Sequence, residues 1–134
     1  MSAVVDSSVL VAALVESQTD GPWARASITR ASLAAPELAL AEATNLLRRL
    51  ELSGWATRLE ATAACRDLLR LNIERYPFAP FAERVWELRA NLTTYDAWYV
   101  ALAETLGWPL ITLDRRIARS DGPRCEVIVP PDDS

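Results

Sequence analysis

Apolar and polar positions along the 134-residue chain alternate between short runs of continuous hydrophobicity and longer stretches of helical period. Ala3-Val4-Val5 is the first apolar run, and it ends at Asp6-Ser7-Ser8, whose hydroxyls suit the start of a helix over 9–16. Asp20-Gly21-Pro22 marks a second start, with the proline suited to a first helical turn and helical spacing over 23–31. Residues 33–36 read as a brief strand stopped by Pro36. Residues 37–52 read as a helix with Leu38, Leu46, Leu47 and Leu50 on a broad apolar side, closed by Ser53-Gly54. A helix over 56–71, a strand over 72–75 ended by Tyr76-Pro77, and a helix over 81–91 follow. Thr93 or Thr94 caps the next helix, which runs to Gly107 and is apolar almost all round. Residues 109–113 form the clearest strand and 126–129 the last, ahead of a frayed tail at 130–134.

Short strands separated by helices are βαβ units, so the pattern predicts an α/β fold: a mostly parallel sheet with helices on both faces. No repeat, linker or composition shift divides the chain, and a single domain over 1–134 is expected. A chain of this length buries roughly 68% of the surface it exposes when unfolded, enough for a real core. Apolar runs such as 97–103 fall far short of the roughly 20 residues of a membrane span. With no basic segment ahead of the first strand, a cytoplasmic protein without a membrane association is expected.

Composition narrows the chemistry. Histidine and lysine are both absent, and all 14 cations are arginine. That excludes imidazole acid–base pairs, Ser-His-Asp and Cys-His nucleophiles, His-ligated zinc, Walker-type phosphate loops and Schiff-base chemistry. Cys65 and Cys125 stand alone and are expected as reduced, partly buried thiols. Carboxylates, hydroxyls and arginines remain.

Four acids sit where charge is costly. Asp6 and Asp114 each end an apolar strand. Either could cap the helix that follows, but both lie at strand carboxyl ends. Where the winding of a doubly wound sheet reverses, the first and fourth strands can be neighbours with a ligand crevice between them. Asp96 falls in the first turn of the nearly all-apolar helix, where it could complete a capping box with Thr93. Glu42 lies at the margin of the apolar side of its helix, one turn from Leu38 and Leu46, where it could pair with Arg49 or bond Asn45. If the four converge, each carboxylate pair repels by roughly 3 kcal/mol at about 5 Å and an effective dielectric of about 20. Such a cluster calls for protonation or a cation. Oxygen-only ligands favour Mg²⁺ or Mn²⁺, and a site of that kind suits phosphodiester hydrolysis. Spacing alone leaves these readings open.

Four segments in order carry a family resemblance: Val4-Val5-Asp6-Ser7-Ser8-Val9-Leu10, Ala41-Glu42-Ala43-Thr44, Thr93-Thr94-Tyr95-Asp96-Ala97-Trp98-Tyr99-Val100-Ala101-Leu102-Ala103-Glu104 and Leu110-Ile111-Thr112-Leu113-Asp114-Arg115-Arg116. The chain resembles the PIN-domain ribonucleases, specifically the VapC-like toxins of type II (VapBC) toxin–antitoxin modules. The resemblance implies a PIN-like three-layer fold with about five strands and the acids at the sheet's carboxyl edge. It implies Mg²⁺- or Mn²⁺-dependent cleavage of RNA leaving 5′-phosphate and 3′-hydroxyl ends. Asp6, Asp96 and Asp114 would coordinate metal, and Glu42 would hold a second ion or orient the attacking water. Ser8 would support Asp6, and Thr112 would do the same for Asp114. A VapB-like antitoxin and a second copy of the chain are the implied protein partners.

Because the chain is acidic, with net charge −4, RNA binding would depend on local cations. Arg48, Arg49, Arg115 and Arg116 are the candidates for holding phosphates. Trp86 and Trp98 fall on apolar helix faces and are expected in the core. Trp23, Trp55 and Trp108 sit near element ends, where one or two are expected at an interface. A toxin cutting a tRNA or rRNA loop, a PIN nuclease of RNA maturation, and a non-catalytic binding module are the competing functions. A phosphatase with an Asp nucleophile is disfavoured, because Asp6-Ser7-Ser8 lacks the second Asp two residues on that such enzymes use and the chain has no lysine for the phosphoryl group.

Overall fold

The computed structural model describes residues 1–16, 18–29 and 31–132. Ala3, Val4 and Val5 are completely buried, so the strand that carries them lies at the centre of the sheet with both faces covered. This strand, β1 (Ser2–Val5), pairs in parallel with β2 (Ser32–Pro36) on one side and with β4 (Leu110–Ile111) on the other. β3 (Ile73–Tyr76) and β5 (Val127–Ile128) complete a parallel sheet of order β3-β2-β1-β4-β5. The winding reverses at β1, which makes the β1–β4 crevice the place where a ligand site belongs.

Strand alternation sorts the core into two layers. Ala3, Val5 and Ile111 face α1 (Ser7–Leu14), α2 (Gly21–Ile28), α3 (Ala39–Leu52) and α4 (Arg58–Leu68). Val4 and Leu110 face α5 (Ala82–Glu87) and α6 (Thr94–Leu106). The short α7 (Arg115–Arg119) follows β4 and packs against β5. Residues 97–103 of α6 are all buried, as an apolar circumference requires, and α6 rests on β1, β2 and β4. Among the described residues no helix is long and apolar enough to cross a membrane.

Capping chemistry trims several predicted boundaries. The helix expected over 56–71 starts at Arg58 because Thr57 and Glu60 form a reciprocal capping box, both bonds 3.1 Å. The helix expected over 81–91 is a 3-10 turn at Ala79–Phe81 followed by α5, which ends at Glu87. Beyond it, Leu88 donates to both Arg84 O and Val85 O, and the Asn91 side chain reaches Asp121 O at 2.9 Å. α6 closes on Gly107 at φ 69°, a left-handed conformation that glycine adopts without strain.

Trp98 is buried, but Trp86 is not in the core as expected. It is 66% exposed, because Val85 of α5 and Leu88 just beyond its end take the inward positions, and the Arg89 guanidinium lies 4.3 Å from its ring centroid. Trp55 is exposed, and Trp23 and Trp108 are half-buried. Both cysteines are free and partly buried. Of the expected tail, Pro130 is buried and Asp132 pairs with Arg115 at 3.1 Å, while 133 and 134 lie outside the described residues.

Burial predicts a sharp contrast between two leucines. Leu102→Ala, on a completely buried side chain, is expected to lower unfolding free energy by about 2–5 kcal/mol. Leu52→Ala, on a side chain 66% exposed, should change it by less than about 0.5 kcal/mol. Urea unfolding followed by tryptophan fluorescence measures both, and equal losses would refute this packing.

Candidate active site

The carboxylate of Asp6 is held by hydroxyls, not by the helix it precedes. Asp6 occupies the N-cap of α1 with φ −73° and ψ 147°, yet its side chain makes no capping bond. Instead Oδ2 accepts from Thr112 Oγ1 at 2.7 Å and Ser8 Oγ at 3.0 Å, and Oδ1 from Ser7 Oγ at 3.3 Å. The Thr112 oxygen also accepts from the Asp114 N–H at 3.0 Å, and Ser8 Oγ from the Leu113 N–H at 3.4 Å. A hydroxyl has one proton, so each backbone donor leaves that proton for Asp6. Thr112 therefore supports Asp6, not the Asp114 carboxylate as expected, because the end of β4 runs alongside the end of β1. The Asp6 N–H bonds Ile111 O at 2.9 Å and fixes the two strand ends together.

Asp96 sits in the first turn of α6, half-buried, where the Thr93 hydroxyl caps its N–H at 3.2 Å. Glu42 sits in the first turn of α3, also half-buried, and accepts a 2.8 Å bond from the Tyr99 hydroxyl at Oε1. Its carboxylate thus turns to Tyr99 and not to Arg49 or Asn45. Tyr99 lies one helical turn beyond Asp96, so α6 supplies both an acid and the partner of another acid from one face. Asp114 is a true cap: Oδ1 accepts from the Arg116 N–H at 2.9 Å, and the Arg116 guanidinium grips both carboxylate oxygens, at 3.1 and 2.9 Å.

Electrostatics ties the acids together. Burial raises the Glu42 carboxyl above its ordinary value, with Asp6 and Asp96 repelling its charge and Tyr99 opposing the rise. Burial likewise raises Asp96, with Asp6 and then Asp114 adding to it. Burial, Asp6 and Glu42 push the Tyr99 phenol far up, so it remains a donor. Asp114 is held below the usual range by Arg116. Glu104 shows the structural alternative. Burial would raise it too, but Arg84, at 2.8 and 3.1 Å, and the Arg124 N–H, at 2.7 Å, keep it low. Both kinds of acid are partly buried; Glu104 has a cation in contact and ends low, whereas burial and repulsion outweigh Tyr99 at Glu42 and outweigh Thr93 and the more distant charge of Arg116 at Asp96.

All four donors are oxygen, the chemistry of hard divalent ions. Among the described residues no three acidic, histidine or cysteine side chains close into a ready-made metal cage. Arg48 and Arg49 are exposed on α3, and Arg49 lines a groove of about 350 Å³ with Ser8, Val11, Leu46, Leu50 and Leu113. Arg115 is bound to Asp132 and Arg116 to Asp114. Sequence reasoning missed Ser7 and Tyr99. The signal for Tyr99 was a phenol inside an otherwise apolar helix, which needs a polar partner when buried.

The raised acids set the sign of a pH effect. A carboxyl that holds its proton more tightly when folded makes stability fall as pH rises above the ordinary carboxylate range. Relieving it by Glu42→Gln or Asp96→Asn should stabilise the chelator-treated protein at pH 7. Both groups are half-exposed, so screening limits the gain to about 0.5 kcal/mol, or about 2 °C in melting temperature. The gain should vanish near pH 4, and thermal melts at the two pH values in EDTA test it.

Comparison with known proteins agrees with this geometry. The PIN-domain profile matches residues 3–123. A VapC ribonuclease of Mycobacterium bovis is 40% identical over 128 residues, covering 96% of this chain and 98% of that protein. Ribonuclease VapC1 of Mycobacterium tuberculosis is 40% identical over 125 residues, covering 92% and 94%. Among solved structures, VapBC-5 of Mycobacterium tuberculosis, a member of the VapBC family of toxin–antitoxin systems, superposes with a TM-score of 0.58 at 26% identity over 96% of each chain. A match of this extent, on a sheet whose winding reverses where the acids gather, means that the chain belongs to the PIN-domain family and, within it, to the VapC ribonucleases.

Proposed function

We propose that this protein is a cytoplasmic toxin that cleaves RNA phosphodiester bonds and is neutralised by a small VapB-like antitoxin. The observation that carries this reading is the gathering of half-buried Glu42 and Asp96 near the hydroxyl-held carboxylate of Asp6 at the carboxyl edge of the sheet, where burial and the charge of Asp6 both raise their carboxyls. Identity of 40% to VapC ribonucleases over nearly the whole chain supports the RNA-cleaving assignment. Asp6, Asp96 and Asp114 would hold Mg²⁺ or Mn²⁺. Magnesium commonly takes one or two carboxylates and keeps several waters, so an open set of oxygen donors fits it without a closed cage. When bound, such an ion polarises the scissile phosphoryl group and acidifies the attacking water.

The chain's own residues do the positioning. Three hydroxyls hold the Asp6 carboxylate in one orientation. Tyr99 holds Oε1 of Glu42, leaving Oε2 to orient the attacking water or a second ion. In-line attack by that water leaves a 5′-phosphate and a 3′-hydroxyl. Arg115 and Arg116, next in sequence to Asp114, and Arg48 and Arg49, on α3 beyond Glu42, would bind flanking phosphates. The substrate is a tRNA or rRNA loop, since proteins reach bases most readily in unpaired RNA. The working form is a homodimer.

Antitoxin-free protein incubated with total tRNA and rRNA is expected to give discrete cuts with Mg²⁺ or Mn²⁺. None should appear with EDTA or in Asp96→Asn. Absence of cleavage together with absence of divalent-ion binding would overturn the reading in favour of a binding module. In the Asp96→Asn background, Arg115→Gln with Arg116→Gln should weaken RNA binding and reduce the slope of log affinity against log salt by about 1–2. An unchanged slope would remove these arginines from the interface.

A further inference from the structure

Glu42 differs from the other three acids in how it is held. Asp6 is fixed by three hydroxyls at the ends of β1 and β4. Asp114 is fixed by the backbone of α7 and by Arg116. Asp96 has a short side chain in a capped first turn beside Thr93. Glu42 carries the longest side chain of the four, and holding a glutamate in one rotamer costs more side-chain entropy than holding an aspartate. Its hydrogen bond is to the Tyr99 hydroxyl, at 2.8 Å. Tyr99 is itself immobile: 2% exposed, in the middle of α6, and packed in the same cluster as Val4 of β1 and Ala39 of α3.

We infer that Tyr99 is a positioning residue for Glu42, its hydroxyl locking the glutamate into the orientation in which it faces Asp6 and Asp96. The ring is anchored in the core between the sheet and the start of α3, so the hydroxyl acts as a fixed point for the only one of the four acids that α3 supplies. Without it, Glu42 keeps its charge but loses its orientation. Tyr99 does not touch substrate or ion; it acts through Glu42. This inference rests on the divalent-ion nuclease reading of the site.

A double-mutant cycle tests it: wild type, Tyr99→Phe, Glu42→Gln, and both together. Mn²⁺ affinity by calorimetry, RNA cleavage kcat and KM, and melting temperature would be measured for each. Tyr99→Phe keeps the ring and removes only the hydroxyl. It is expected to lower Mn²⁺ affinity or kcat by about tenfold, the range seen when a ligand's supporting partner is lost. KM should stay within about twofold. In the Glu42→Gln background the same substitution should change neither affinity nor kcat further. Equal losses in both backgrounds, or loss of melting temperature as the sole effect, would make Tyr99 a packing residue and overturn the inference. Unchanged Mn²⁺ affinity and kcat in Tyr99→Phe would do so too. A wild type that binds Mn²⁺ but cuts no RNA would remove the nuclease reading while leaving the affinity cycle to decide the role of Tyr99. A wild type that binds no Mn²⁺ would overturn both.

Discussion

The pairing of β1 with β4 is the constraint from which the site hangs. These strands are far apart in sequence, and the backbone bonds from Val4 N to Pro109 O and from Asp6 N to Ile111 O, both 2.9 Å, bring their ends together. The register sets Val5 opposite Ile111, so Asp6 and Thr112 emerge side by side at the carboxyl edge. A slip of one residue would turn Thr112 to the other face of the sheet and take its hydroxyl from Asp6. The same pairing places Asp114 at the crevice, because Leu113 and Asp114 follow directly and donate their N–H groups to the hydroxyls that hold Asp6. α6 then packs across β1, β2 and β4 and brings Asp96 and Tyr99 to the same edge.

That arrangement leaves the acids unequal. Glu104 and Glu42 both come from helices and both are partly buried, yet one is stabilised as an anion and the other is pushed toward its neutral form. The difference is the guanidinium of Arg84. In a protein with no lysine and no histidine, arginine is the available side-chain cation, and this fold uses it to clasp the 122–124 segment to α6 while withholding it from Glu42. Selection for stability alone would favour pairing both acids or replacing them. Uncompensated repulsion in a crevice is the environment in which reactive acids are found, and the proposed reading places Glu42 among them.

Much of this was legible in the chain itself. The acids at strand ends, the burial of α6 and the parallel α/β sheet follow from short apolar runs terminated by Asp and from an apolar helix carrying one acid in its first turn. What escaped was decided by tertiary contacts. The Thr112 hydroxyl went to Asp6 because the nearer partner in space is 106 residues away in sequence. Trp86 lies outside because α5 is short, and local periodicity does not reveal which side of six residues meets the core. The Glu42 partner lies on another helix 57 residues on, beyond the reach of any spacing rule. By contrast, the Thr57–Glu60 capping box was available from spacing alone and set a boundary the apolar pattern overran.

The arginines beside Asp114 show how an acidic protein can present cations to a polyanion. Arg116 is 86% exposed and Arg115 about one-third exposed, and each is engaged by an acid of this chain, Asp114 and Asp132 respectively. An exposed pair of this kind adds little to stability, so in the proposed reading a phosphate can replace the carboxylate partner at little cost. Exchange at Arg116 has a further consequence, because Asp114 would then add its full charge to the repulsion already raising Asp96. A cation entering the crevice relieves that repulsion and draws Asp114 away from Arg116. In the proposed reading, ion and RNA phosphate therefore take opposite halves of one ion pair, and occupation of either half makes the other easier to fill.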